Sequence, residues 1–351
     1  MGIQKRKEDH LELCLQAQVE SRNKTTLFED IEFIPNSIPQ VNLDEVDPGT
    51  FFLSKRLKAP ILIGAMVGGT KRAQAINKAL ASAAAKYGLG FGVGSQRAMH
   101  ELPSLALTYQ IRDVAPDILF LANLGIQQAR NISSEEIQAL VDSIEADAIS
   151  IHLNTAMELI QPEGDTDFSK SYETLERLNQ SLKCPLIVKE TGGGLSREVG
   201  LKLKAIGIDL VDIGGAGGTS WVGIESLRSQ GVAKQLGELF WDWGIPTAAS
   251  LCELKNLGFT TIASGGIRNG LDIAKAIALG ATVTGIALPF LKEYASGGMS
   301  AVEAYIDYLV KGLRMAMLLT GCRNLTELQQ QKLVITGKLK DWLISRHLPL
   351  P

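Results

Sequence analysis

Eight short apolar runs, rich in β-branched residues, recur along the chain. They lie at 60–65 (PILIGA), 88–93 (GLGFGV), 118–123 (ILFLAN), 147–151 (DAISI), 185–189 (PLIVK), 209–213 (DLVDI), 260–264 (TTIAS) and 281–286 (ATVTGI). Most lack a period of two, which predicts strands covered on both faces. Helical patterns at 73–86, 104–114, 134–145, 172–182, 197–205, 248–257 and 271–279 fall between them. Ser133 or Ser134 ahead of Glu135 and Glu136 has the form of an N-cap with an acidic first turn. Ile-Gly-Ile at 206–208 and Leu-Gly-Ala at 279–281 have the form of helix stops. Strand and helix repeated eight times predict an α/β fold of the (β/α)8 TIM-barrel type. An open doubly wound sheet is the alternative, but it rarely needs eight regular units and usually shows an early phosphate fingerprint.

A barrel of this kind needs about 250 residues, and the chain has 351. The pattern divides a single domain, residues 1–351, into an N-terminal arm (1–59), the barrel (60–290) and C-terminal helices (299–345). The sixth and seventh strands are about twice as far apart as the others, which sets 214–245 as an insertion at the barrel mouth. Its aromatics, Trp221, Phe240, Trp241 and Trp243, suit a lid or a subunit contact, and equally suit local packing.

The formal net charge is -3, which argues against nucleic acid as a partner. The four cysteines, Cys14, Cys184, Cys252 and Cys322, form no CxxC or CxxH pattern, which argues against zinc and a disulfide framework. The start MGIQKRKEDH lacks an apolar core and no apolar run is long enough to span a membrane. The expectation is a soluble cytoplasmic protein.

Chemistry in such barrels sits at the C-terminal ends of the strands. Here those ends are polar and rich in glycine. Ser264-Gly-Gly-Ile-Arg268 followed by Gly285-Ile-Ala-Leu288 suits a phosphate cradle of backbone N–H groups and helix starts. Lys189 ends an otherwise apolar strand and needs an anion or an electron-rich partner. A flavin ring edge would serve, with Ser95 and Asn123 as further hydrogen-bonding groups; pairing of Lys189 with Glu190 or another neighbour is the alternative. Of the four histidines only His152 falls at a strand end, two residues before Asn154.

At this point a family resemblance enters. Arg6-Lys-Glu-Asp-His-Leu11, Ala65-Met-Val-Gly-Gly69, Gly94-Ser-Gln-Arg97, Ala122-Asn-Leu-Gly125, His152-Leu-Asn154, Pro162-Glu-Gly-Asp165, Lys189-Glu190, Gly217-Gly-Thr-Ser-Trp221 and Ser264-Gly-Gly-Ile-Arg268 resemble the type 2 isopentenyl diphosphate isomerases. The match runs in order from residue 6 to about 290. It implies FMN, Mg2+ and a reductant such as NADPH, and interconversion of isopentenyl and dimethylallyl diphosphate. It implies FMN contacts at Ala65, Met66, Val67, Ser95, Asn123, Lys189, Thr219, Gly266, Ile267, Arg268, Ala287 and Leu288. The isoprenoid diphosphate would meet Arg6, Lys7, Ser95, Gln96, Arg97 and Met157, with His152, Asn154 and Lys189 as catalytic groups and Glu158 as the Mg2+ ligand. The family also implies a homo-oligomer, a tetramer or octamer.

Two departures stand out. The family's fourth-strand motif, His-x-Asn-x-x-Gln-Glu, here reads His152-Leu-Asn-Thr-Ala-Met157-Glu158, so the glutamine is Met157; Gln161 lies one helical turn beyond it. Gly214 stands where the family often has serine. Three rival readings are weighed. A 2-hydroxy-acid flavin oxidase needs a histidine after the sixth strand, and 213–219 has none. A guanosine-nucleotide-pathway dehydrogenase needs a cysteine there. A flavin-binding protein without activity is kept open by Met157.

Overall fold

In the computed structural model, which describes residues 2–351, each apolar run gives rise to one strand of a closed barrel. The strands are β1 (Ile61–Ile63), β2 (Gly90–Gly92), β3 (Phe120–Gly125), β4 (Ala148–Leu153), β5 (Leu186–Glu190), β6 (Leu210–Asp212), β7 (Thr260–Ser264) and β8 (Val283–Ile286). Each pairs in parallel with its neighbours, and β8 closes on β1 with Thr284 opposite Ile61. All six residues of β3 are buried, because its inner face fills the barrel and its outer face meets helices. That two-sided burial is why the runs show no alternation.

The helical shell follows the sequence closely. Helix Lys71–Tyr87 is capped by Thr70, whose side chain accepts from Ala73 N–H, and ends on Gly88 in the left-handed region. Ser133 and Glu136 form a reciprocal capping box at the start of helix Ser134–Asp142. Helices Ser171–Ser181, Arg197–Ala205, Thr247–Leu254 and Gly270–Ala278 complete the expected set. The exception is 104–114, which forms only a 3-10 turn, Pro103–Thr108. Thr108 bonds its own turn through Leu105 O, and Tyr109 swings fully into the core, so the helical pattern was apolar packing without a helix.

Three features were not read from the sequence. A hairpin of Thr50–Phe52 and Lys55–Leu57 packs Phe52 and Leu57 against Leu62, Leu119, Leu121, Ile187 and Val283, closing the barrel's N-terminal end. Strand Ile31–Phe33 pairs antiparallel with Leu333–Ile335, tying the arm to the C-terminal segment. The C-terminal helices begin early: the chain enters helix Leu288–Leu319 directly after β8, with a break at Gly298 (φ 62°). No helix among the described residues is long and apolar enough to cross a membrane.

Candidate functional site

The C-terminal ends of the strands open into a cavity of about 270 Å3. Its floor is the barrel core and its roof is the N-terminal helix Ile3–Gln16, which contributes Arg6, Lys7, His10, Leu11 and Cys14. The arm reaches this position by pairing with the loop after β6: Ser21 N–H donates to Gly218 O (2.8 Å) and Ser220 N–H to Val19 O (2.7 Å). Every residue expected at the site lines this cavity except Gln96 and Ile267.

Gln96 is a correction. Its side chain is fully buried, donates to Leu140 O (2.9 Å) and accepts from Asn123 N–H (3.3 Å). It therefore joins the β2 loop to the helical shell and cannot meet substrate. The next-door residue Ser95 takes the cavity side. Ile267 is corrected in part: its side chain is in the core, which takes that side chain out of any contact with a ligand.

One side of the cavity is backbone. Gly265 and Gly266 have φ of 101° and 77°, a conformation that only glycine adopts freely. The N–H groups of Gly266 and Ala287 bond to no other group among the described residues, and both residues line the cavity, which fits a flavin phosphate. Arg268 is also here, but its guanidinium is held by Glu20 of the arm, with Nε 3.1 Å from Oε1. Lys292 stands 4.0 Å from the same carboxylate.

The opposite side is side chain. Lys7 Nζ donates to Ser95 O and to Tyr109 Oη, both at 2.8 Å. Burial, and then the charges of Arg6 and Arg97, push the Lys7 ammonium down to about 7. Burial likewise lowers Arg6 from its usual range. With the Gln161 amide turned so that its oxygen meets Arg6, the orientation its neighbours favour, Arg6 donates to that oxygen (2.9 Å) and the amide nitrogen donates to Glu225 (3.3 Å). The fully buried Glu225 is held by His10 and Arg228, each at 2.6 Å. Arg97 is turned towards Glu101 (2.9 Å).

Between these walls, His152 Nδ1 lies 2.7 Å from Asn123 Oδ1, so Nδ1 carries the hydrogen and Nε2 is the acceptor. Burial, with Lys189 and Lys7 nearby, drives its pKa down to about 3, and the imidazole is neutral at pH 7. Asn154 Nδ2 donates to Glu158 Oε1 (2.7 Å), and Asp165 N–H reaches Oε2 (3.1 Å). Met157 lines the cavity with its sulfur 3.9 Å from Asn154 Nδ2. No cluster of three or more His, Cys, Asp or Glu side chains forms a ready-made metal site among the described residues.

Lys189 has its anion within the chain. Its Nζ lies 3.1 Å from Asp212 Oδ2 and donates to Glu190 O (2.9 Å). The Glu190 carboxylate is instead wrapped by the N–H groups of Thr191, Gly192 and Gly193, though burial pushes it up to about 7. Asp212, Gln128 and Thr191 also line the cavity and were missed; Ser264 and Trp221, read as parts of the cradle motif and of the mouth insertion, line it too. Asp212 was within reach of the strand-end rule, since it is the last residue of β6 within the run DLVDI. The insertion splits: Trp221 meets His10 edge-on in the cavity wall (5.5 Å), Trp241 packs under Arg22, and Trp243 stays exposed.

Comparisons with known proteins agree with this geometry. A sequence model described as FMN-dependent dehydrogenase matches residues 145–335. An isopentenyl-diphosphate delta-isomerase from Methanosarcina mazei is 43% identical over 97% of this chain and 94% of its own length. Proteins of the same name from Pyrococcus furiosus (43%, covering 97% and 89%) and Archaeoglobus fulgidus (43%, covering 99% and 100%) are similarly close. Among solved structures, a flavocytochrome b2 double variant with sulfite bound superposes with a TM-score of 0.70 at 20% identity, covering 97% of this chain and 89% of its own. A mandelate oxidase variant with a monooxide FMN adduct gives 0.63 at 16%, covering 93% and 95%. Those two likenesses concern the fold alone. A near-full-length match at such identity, on a barrel whose mouth joins an anion cradle to a cationic roof, makes this chain a member of the isopentenyl-diphosphate delta-isomerase family.

Proposed function

We propose that this protein interconverts isopentenyl diphosphate and dimethylallyl diphosphate, using reduced FMN and Mg2+ with no net redox change. One observation carries the reading: Arg6, Lys7 and Arg97 all line one cavity, where Lys7 is half-buried and its ammonium is pushed down to about 7. Of these partly buried cations only Arg97 has a carboxylate in a salt bridge, Glu101; crowded cations of this kind call for a multiply charged anion, and a diphosphate is one. Bound there, it would restore the charge on Lys7 and raise His152.

The assignments follow the two walls. Thr219, Gly266, the Ile267 backbone, Arg268, Ala287 and Leu288 would hold the FMN phosphate. Ser95, Asn123 and Lys189 would hold the polar edge of the ring, and Ala65, Met66 and Val67 its face. Glu158, oriented by Asn154, would hold Mg2+ with one carboxylate, the remaining sites going to diphosphate oxygens and water. NADPH is the proposed reductant.

The double-bond shift needs a proton added at one carbon and removed at another. Reduced FMN, when bound, supplies an electron-rich face and a proton at N5, which no side chain of the cavity offers to so weak a base as an alkene. The chain's own part is to anchor the diphosphate with Arg6, Lys7 and Arg97, to orient it with His152 and Asn154, and to exclude water under the N-terminal helix. A homo-oligomer, tetramer or octamer, belongs to the same reading. The exposed Val232, Leu239 and Trp243 of the insertion support it.

The test is incubation of the FMN-loaded protein with NADPH, Mg2+ and isopentenyl diphosphate. Dimethylallyl diphosphate is the expected product, and its absence from reduced, flavin-loaded protein would overturn the proposal. Loading with 5-deazaFMN should abolish turnover; an unchanged rate would remove N5 from the mechanism.

A further inference from the structure

Asp212 sits at the end of β6, 7% exposed, directly opposite Lys189 in the β5–β6 register. Both oxygens of its carboxylate are committed. Oδ2 faces Lys189 Nζ at 3.1 Å. Oδ1 accepts from Ser264 Oγ on β7 and from Gly214 N–H (3.3 Å). Lys189 has three donors. One goes to Asp212 and one to Glu190 O, which leaves one for the cavity that Lys189 lines.

We infer that Asp212, held by Ser264, is a positioning residue that sets how much positive charge Lys189 presents to the flavin. The inference rests on the FMN reading above. A lysine alone would place a full charge beside the ring and favour its anionic reduced form. A buried carboxylate on the same lysine cancels much of that field. It also fixes the ammonium by anchoring it to two neighbouring strands. The loop carrying the partner, Ser264-Gly-Gly, is the same one that forms the phosphate cradle, so ring edge and phosphate end are placed by one connected set of bonds. A plain strand clip between β5 and β6 would affect stability and leave the flavin's electronics alone.

The test is the midpoint potential of bound FMN, measured by anaerobic titration of the wild type, Asp212→Asn and Ser264→Ala. In Asp212→Asn the uncancelled lysine should tighten reduced over oxidised FMN by on the order of tenfold, a rise of about 30 mV for a two-electron couple. Ser264→Ala removes a donor that draws charge from the carboxylate. The ratio should then move the opposite way, by roughly two- to threefold. If both variants load FMN and stay within about twofold of the wild-type ratio, below about 10 mV, Asp212 is only a strand clip and the inference falls. If Asp212→Asn fails to fold, Ser264→Ala decides alone, and an unchanged ratio overturns the inference. A wild-type protein that takes up no FMN in either redox state would sink the proposed function itself, and this inference with it.

Discussion

The two walls of the cavity are built from different material. The cradle after β7 and β8 is main chain, shaped by glycines at positive φ and placed by neighbouring strands. The cationic wall is side chain, and it exists only because an arm folds back: Lys7 reaches Ser95 across 88 residues of sequence. A main-chain site tolerates little change in residue type but keeps its chemistry at any pH. A side-chain site can lose one contact at a time, and its charges respond to pH.

Four experiments press on that contrast. The largest effect belongs to the cradle. Gly266→Val would put a Cβ 2.4 Å from Thr26 Cγ2 and 2.6 Å from Gly217 O at φ 77°, costing on the order of 2 kcal/mol. The purified protein should be colourless and inactive; retained visible flavin absorbance would break the assignment. Next, Lys7→Met should lower kcat/KM by on the order of 10^2 by removing a charge-assisted contact, with FMN binding kept. Loss of both would mean that the two walls are not separable.

The third test is pH. Burial holds Lys7 at about 7, so the free protein sheds this charge as pH rises through 7, and kcat/KM should fall towards about a tenth per unit above it. In Lys7→Arg, which stays protonated, that limb should vanish. A pH profile identical in the variant would assign the fall elsewhere. The smallest effect is expected at Gln96, which touches no cavity. Gln96→Leu should cost roughly 1–3 kcal/mol of stability through unpaired buried groups, measured by denaturant unfolding, while KM stays unchanged. A raised KM would return Gln96 to the substrate wall.

The same contrast explains what the sequence disclosed. The barrel was legible because burial on both faces writes continuous apolar runs, and all eight of its strands end within two residues of expectation or at it. The glycine turns at 265–266 were legible because their conformation restricts residue type. The resemblance carried Gln96 to the substrate wall, but one residue's step along the chain turns its side chain away from the cavity that Ser95 lines. The strand-end rule passed over Asp212, whose role depends on the lysine opposite. Glu20, which holds Arg268, and His10, which meets Glu225, lie in the arm, where no local pattern states what they will touch. Three-residue strands such as Ile31–Phe33 are too short to carry a period.

The pairing of Ile31–Phe33 with Leu333–Ile335 has a consequence for how the molecule is made. The strand that tethers the arm has its partner about 300 residues further along the chain, so closing it costs the entropy of a very long loop. The arm's other ties, Ser21 to Gly218 and Glu20 to Arg268, span most of the chain as well. The cationic roof is thus assembled by long-range contacts that form only once the barrel they reach across is in place.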